Sequence, residues 1–402
     1  MVPGTNAAGL PQFDELQRGI DEAWVRRTLQ ELIRIRSENP LDEPPGPGRG
    51  EQEIADYLCD LVSGMGVRVE QREAAPGRPN VYAYLPGRRG DFTLALAGHT
   101  DTVEAGDFPG AYDALWEDGK VHGRGACDMK AGLAANVAVR KALKDAGASL
   151  SGNLVLCFIA DEEHGMIGAR AIGRDGPRAD QCIMSEPTEL QVCLSSKGRI
   201  GATIIARGRS AHARTPEKGT NAISHMGQII GRLDDYQAAL QARDAHPLLG
   251  HASIVPGVIR GGEQANRVPD YCELEVDRRT VPGETPEAAF AELREWVGKA
   301  AFGRADFDYE VIPSGLVLPA CDIAAGEPVV AALRSAHRAL FRADGGVQAF
   351  PAGSDAGYLG FPTVICGPGS ISHAHRPIEH VELSQVVTAA RLFLHAALQL
   401  LG

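Results

Sequence analysis

Acids and histidines recur at one kind of place along this chain. His99 and Asp101 close the apolar run LALAGHTDTV at residues 94–103. Asp161, Glu162 and Glu163 follow the run at 154–160, and Glu186 follows 181–184 within Ser185-Glu186-Pro187-Thr188. His373 and His375 come after the run at 362–366 and Gly367-Pro368-Gly369, while Asp128 precedes a helical pattern over 129–144. An apolar run closed by turn residues reads as a buried strand of a parallel sheet. In open α/β sheets the groups past the carboxyl ends of the strands face the ligand crevice. Each group has a plain alternative: a solvated histidine with a turn aspartate, a helix cap at Asp128, an acidic loop relieved by water. Together, imidazole and carboxylate donors without thiolate suit zinc in a catalytic site, with cobalt or manganese as substitutes. Adjacent acids at a strand end repel one another and call for a compensating charge. The acids outnumber what one zinc takes, so two metals sharing a carboxylate, about 3.5–4 Å apart, fit better. One acid is then left as the proton carrier that amide hydrolysis needs, and Asp101 is placed to brace the imidazole of His99.

The elements that hold these groups follow from periodicity. Residues 21–35 carry Trp24, Val25, Leu29, Leu32 and Ile33 at helical spacing and stop at the turn Ser37-Glu38-Asn39-Pro40. A second helix is expected over 51–62, then short strands at 67–70, 80–85 and 92–97, with Gly123 and Gly125 marking a tight passage before Asp128. Such alternation makes an α/β sheet domain. From 198 to 312 the order changes to strand (200–207), helix (221–243), strand (252–259), strand (272–276), helix (286–300) and strand (307–312). That βαββαβ order is the split pattern of a ferredoxin-like α+β unit. The earlier style resumes with a helix at 328–342, strands at 347–350 and 362–366, and a closing helix at 383–401. Residues 1–197 and 313–402 are therefore expected to fold together as one α/β domain, with 198–312 inserted.

Composition narrows the class. A chain of 402 residues exceeds one ordinary domain. A formal net charge of −12 argues against nucleic acid as a partner. The start, MVPGTNAAGLPQFDELQRGI, lacks the apolar core of a signal peptide, and no stretch is long and apolar enough to span a membrane. Eight scattered cysteines without a CxxC pair read as reduced, mostly buried thiols. These features point to a cytoplasmic globular protein.

The motifs GHTDTV, GRGACDMKAG, ADEEHGMIGA, SEPT, KG followed by SAHA, GGEQANRVPD, DRRTVPG, GSDAGYLG and GPGSISHAH stand in this order. They resemble the zinc amidohydrolase family that contains acetylornithine deacetylase, succinyl-diaminopimelate desuccinylase, aminoacylase and glutamate carboxypeptidase. The resemblance runs from SENP near residue 37 to AHRPIEHVEL near the end. It implies a di-zinc aminopeptidase-like catalytic domain carrying an inserted lid and dimerisation domain. It implies His99 as a ligand of the first metal with Asp101 as its brace, Asp128 as the bridge between metals, and Glu186 completing the first site. Glu162 is implied as general base and Glu163 as a ligand of the second metal, and the Ala-His-x-Pro-x-Glu register picks His375 over His373 for that metal. On the inserted domain, His212 would support the oxyanion in a partner's active site. Asn266 and Arg279 would hold a substrate carboxylate, which a guanidinium can grip in a bidentate way. Without the resemblance, Arg279 reads as a surface arginine on a strand.

Within the family, CGPGSISHAH and SEPTELQVCLSSKG are most like acetylornithine deacetylases, whereas GSDAGYLG, with Asp355, departs from them. The expected activity is hydrolysis of the amide bond of an N-acyl-L-amino acid by a homodimer holding two Zn2+ per chain, with Co2+ or Mn2+ as substitutes. A dipeptidase, a carboxypeptidase or a desuccinylase of N-succinyl amino acids would use the same metal motifs. The Asp128-Met129-Lys130 segment leans toward the deacylases by resemblance. A binding protein that had lost catalysis would lack a ligand or Glu162, and none is missing. The remaining histidines, His122, His164, His225, His246, His251, His337, His380 and His395, read as ordinary surface or core residues, and Met129, Met166 and Met184 as packing residues.

Overall fold

A computed structural model describes residues 13–402; the signal-peptide reading rests mainly on residues 1–12, which lie outside the described residues. The chain divides into two compact units, Met1–Ser195 with Asp322–Gly402, and Ser196–Cys321.

In the first unit, helix Glu22–Arg34 starts where the Asp21 carboxylate accepts the N–H groups of Ala23 and Trp24 at 2.9 and 3.2 Å. It buries Val25, Leu29, Leu32 and Ile33, the face that the spacing predicts. The main sheet has nine strands among the described residues. Its centre is four parallel strands in the order Asn153–Ile159, Thr93–His99, Gln181–Met184 and Thr363–Ile365. They are buried almost throughout, which is why they read as unbroken apolar runs. The sheet is mixed rather than wholly parallel. The hairpin Arg68–Ala75 and Arg78–Leu85 flanks the centre antiparallel on one side, and Val192–Ser196 does so on the other.

Helix Lys130–Asp145 packs on strand Thr93–His99 and between helices Glu22–Arg34 and Leu383–Leu401. Gly132 permits this approach, since a Cβ there would lie 2.4 Å from the carbonyl oxygen of Ser185. Gly123 sits in the tight passage: a Cβ would meet Ile33 Cγ2 at 2.4 Å and the Ala111 carbonyl at 2.9 Å. A small sheet of Leu115–Glu117, Lys120–His122 and His380–Glu382 was not legible in the sequence, because strands of three residues carry no alternation. It places the end of the AHRPIEHVEL stretch beside the loop that leads to Asp128, where Gly123 N–H donates to the Glu379 carbonyl at 3.0 Å.

The second unit has four antiparallel strands in the order Ser253–Gly261, Tyr271–Thr280, Gly198–Arg207 and Asp308–Pro313. Helices Ala222–Gln241 and Pro286–Ala301 complete the ferredoxin-like βαββαβ order. Along Tyr271–Thr280 every second residue is buried; Leu274 and Val276 join a core with Ile229, Leu233, Leu293 and Val297. Arg278 lies in that buried row, its Nε donating to Tyr236 Oη at 3.0 Å and its Nη2 to Glu284 at 2.7 Å. The unit runs past residue 312 because Ser314 N–H donates to Gly201 and Leu318 N–H to Arg199, at 3.0 and 2.8 Å. Among the described residues, which include all eight cysteines, there is no disulfide, and seven of the thiols are buried. No helix among the described residues is long and apolar enough to cross a membrane.

The close helix–strand approach gives a test. Gly132→Ala gains helix propensity of up to ~1 kcal/mol but forces the helix off Ser185, and overpacking of this kind costs about 1–3 kcal/mol. Urea denaturation should show a net loss of stability; an unchanged or more stable variant would contradict the packing described.

Candidate metal centre

The parallel strands deliver the acids and histidines to one edge of the sheet. His99 Nε2 lies 3.1 Å from Asp128 Oδ1 and 4.0 Å from Glu186 Oε2. His375 Nε2 lies 3.3 Å from Asp128 Oδ2 and 3.1 Å from Glu163. Asp128 therefore stands between two imidazoles, one on each oxygen. One ligand atom each of His99, Asp128 and Glu163 fall within 4.8 Å of one another. The five residues expected as ligands are thus brought together. His373 is elsewhere, its ring centred 4.4 Å from that of His380. Asp128 is not a helix cap either: Met129 occupies the cap position, and no side chain caps the helix.

Asp101 meets His99 chiefly through its backbone, with its carboxylate also in ion-pair range of the imidazole. His99 Nδ1 is 3.0 Å from the backbone carbonyl of Asp101 and 3.6 Å from its carboxylate. The carbonyl takes the Nδ1 proton and so turns Nε2 toward Asp128 and Glu186. The Asp101 carboxylate also accepts the backbone N–H groups of Glu162 and Glu163 at 3.0 and 3.1 Å, and the Asn39 side-chain amide at 2.7 Å.

Charge is the dominant feature of the site. Burial pushes Glu162 and Glu186 well above the usual carboxylate range, against the pull of nearby His99. Asp128 goes the other way: burial would raise it, but its hydrogen bonds with His375 and His99 outweigh burial and hold it low. The same hydrogen bonds from Asp128 and Glu163 push His375 up to about 10. Among the described residues no lysine or arginine hydrogen-bonds to Asp128, Glu162, Glu163 or Glu186. The donor set, oxygen and imidazole with surplus negative charge, fits a pair of divalent cations. Glu162 is the acid left over: its carboxyl group has no hydrogen-bond partner among the described residues.

Three supporting residues escaped the sequence reading. Glu379 accepts the N–H groups of Cys127 and Asp128 at 2.8 and 3.0 Å and Arg124 Nη1 at 2.6 Å, so it sets the loop that presents Asp128. It is the glutamate of the very register that picked His375. Asn39 reads in the sequence only as part of a turn. Asp355, where the sequence departs from the family pattern, is fully buried, neither carboxylate oxygen has a hydrogen-bond partner among the described residues, and burial pushes it well above the usual range.

On the second unit, His212 and Asn266 are neighbours across a two-strand ladder. His212 pairs with Arg267, and Ala213 N–H donates to the Asn266 carbonyl at 2.9 Å. His212 is exposed, and its Nδ1 accepts the Arg214 N–H at 3.0 Å. Arg279 lies in the half-exposed row of its strand, its Nε donating to Asp277 at 2.7 Å, while Arg199 holds the other Asp277 oxygen at 2.6 Å.

Residues 95–399 match the family described as Peptidase family M20/M25/M40. An acetylornithine deacetylase from Edwardsiella ictaluri is 31% identical, over 86% of this chain and 90% of its own. An N-formyl-4-amino-5-aminomethyl-2-methylpyrimidine deformylase from Bacillus subtilis is 26% identical, over 95% of this chain and 96% of its own. Among solved structures, a dinuclear metal binding peptidase from the M20 family of Bacillus subtilis superposes with a TM-score of 0.68 at 18% identity, covering 95% of this chain and 99% of that one.

The surplus charge predicts a strong response to metal. Protein stripped by chelation should bind about two Zn2+ or Co2+ per chain and gain thermal stability, by about 2.7 kcal/mol for a site held at a hundredfold excess over its Kd. His375→Gln should lower the count toward one. Full stability without metal, or a single ion per chain, would contradict the paired site.

Proposed function

Because this chain belongs to peptidase family M20/M25/M40, we propose that it hydrolyses the amide bond of N-acyl-L-amino acids, N-acetyl substrates foremost. The observation that carries this is the Glu162 carboxyl, without a hydrogen-bond partner among the described residues and close enough to feel the charge of His99, one of the two imidazoles that share Asp128. Two divalent cations held by His99, Asp128 and Glu186 and by His375, Asp128 and Glu163, zinc with cobalt or manganese as substitutes, would polarise the amide carbonyl and acidify a bound water. Glu162 takes a proton from the attacking water at a carboxylate oxygen and returns it to the leaving nitrogen. Its burial suits it to both steps, since desolvation favours the protonated form that must donate.

The second unit contributes binding groups. With Nδ1 of His212 occupied by the Arg214 N–H, its Nε2–H is left as a donor for the developing oxyanion. Arg279 and Asn266 take the substrate carboxylate and so hold the amide over the reacting groups. A homodimer with composite sites is supported by strand Ser253–Gly261, a sheet edge that leaves Val255 and Ile259 55% and 53% exposed. Uncovered apolar edges of this kind invite pairing with a second chain. Eight cysteines without a disulfide suit a reducing, cytoplasmic setting.

The second reading is a small N-acyl amine lacking a carboxylate, favoured by the nearly full-length match to the Bacillus subtilis deformylase. Dipeptides, carboxypeptidase substrates and N-succinyl amino acids are further alternatives that the same metal centre would serve.

Two measurements test the proposal. Glu162→Gln should keep metal and substrate binding and lose turnover by at least ~10²–10⁴-fold, the range for removed general acid–base catalysis; a near-normal rate would remove Glu162 from that role. N-acetyl-L-ornithine and other N-acetyl-L-amino acids should be cleaved, and their α-amide analogues roughly ten- to a hundredfold less well in kcat/KM. Arg279→Ala should cost as much on the acid and little more on the amide. Equal cleavage of acid and amide would favour the carboxylate-free amine.

A further inference from the structure

Asp161 opens the acidic triplet yet turns away from the other acids. It is buried and adopts a left-handed φ of 71°, uncommon outside glycine. Its Oδ1 accepts Arg78 Nη2 at 2.8 Å and Asn39 Nδ2 at 2.9 Å, its Oδ2 accepts the Ile167 N–H at 3.2 Å, and its own N–H donates to Glu51 Oε1 at 3.1 Å. Arg78 closes the cluster through Nε, 2.7 Å from Glu51 Oε2. All three charged side chains are buried, with 7, 0 and 2% exposure for Arg78, Glu51 and Asp161. A buried guanidinium forked between two carboxylates resists displacement, because losing one partner strands a buried charge.

Among the described residues, only the Asn39 side chain hydrogen-bonds both to this cluster and to the Asp101 carboxylate. Asn39 is itself fixed: its Oδ1 accepts the Leu41 N–H at 2.8 Å, and its N–H donates to the Thr102 carbonyl at 2.8 Å. The residue type matters. A carboxamide offers donors to two carboxylates at once, whereas an aspartate would place three anions in contact.

We propose that Asn39 is a positioning residue of the metal centre, coupling the Arg78–Glu51–Asp161 ion cluster to Asp101 and thereby setting the His99 half of the centre against the Glu162–Glu163 turn. The proposal rests on the metal-centre reading above. Asn39 touches neither His99 nor the other metal-holding side chains. It acts by pinning Asp101, whose carbonyl orients His99 and whose carboxylate holds the Glu162 and Glu163 backbone.

The test uses the full chain, cobalt(II) as the probe, and Asn39→Ala and Asn39→Asp as variants. Chelator competition should show cobalt bound about 10- to 100-fold more weakly, the usual effect of losing a partner behind a metal ligand. The visible absorption of the bound cobalt should change, while KM for substrate stays near that of the unaltered protein. Should Asn39→Ala fail to fold, Asn39→Asp, of equal size, carries the test alone. Unchanged cobalt affinity and spectrum in a folded variant would overturn the proposal. Failure of the unaltered protein to bind cobalt would instead overturn the metal-centre reading itself.

Discussion

Buried negative charge with only two imidazoles to offset it is the constraint on which the rest of this structure depends. Glu162, Glu163 and Glu186 beyond strand ends, Asp128 before a helix and Asp355 at the start of a short 3-10 turn gather around two imidazoles. Ionised carboxylates are costly to bury unless paired, yet the arginines nearby are engaged one layer further out. Arg124 is committed to Glu379, and Arg78 to Glu51 and Asp161. The inner layer receives its support from backbone N–H groups and uncharged side chains: Cys127 and Asp128 N–H on Glu379, Ser354 on Glu186, Asn39 on Asp101. An arrangement that withholds lysine and arginine from the centre leaves it to a cation from solution.

The two halves of the centre are joined through Asp101. Its carbonyl takes the Nδ1 proton of His99, and its carboxylate takes the first two N–H groups after Asp161. The His-x-Asp stretch and the acidic triplet, 61 residues apart for Glu162, are thus one mechanical unit. Glu379 does for Asp128 what Asp101 does for the glutamates, from the far end of the chain. The loops of His99, Asp128, Glu163 and Glu186 are each fastened by a carboxylate outside the set proposed to hold metal or by a parallel strand.

Much of this was legible in the sequence, because position past an apolar run is a statement about geometry. His99, Glu163 and Glu186 fall where strands end and His375 in the loop beyond one, whereas the strand expected at 272–276 runs on to Thr280, where its alternation buries Arg278 and leaves Arg279 half-exposed. What stayed hidden has physical causes. A motif shows that Asp101 is near His99, but not whether its carbonyl or its carboxylate meets the imidazole. Asn39 lies in a Ser-Glu-Asn-Pro turn, and its partners are 62 and 122 residues away. The last predicted strand of the second unit ends at 312, but backbone hydrogen bonds from Ser314 and Leu318 extend the unit, which runs to Cys321.

The central claim is that the carboxylate cluster folds as a seat for two cations bridged by Asp128. Crystals grown from zinc-loaded protein, measured on both sides of the zinc absorption edge, test it most directly. The account predicts two anomalous peaks about 3.5–4 Å apart, one among His99, Asp128 and Glu186 and the other among His375, Asp128 and Glu163. A single peak, or peaks that leave Asp128 uncoordinated, would contradict it.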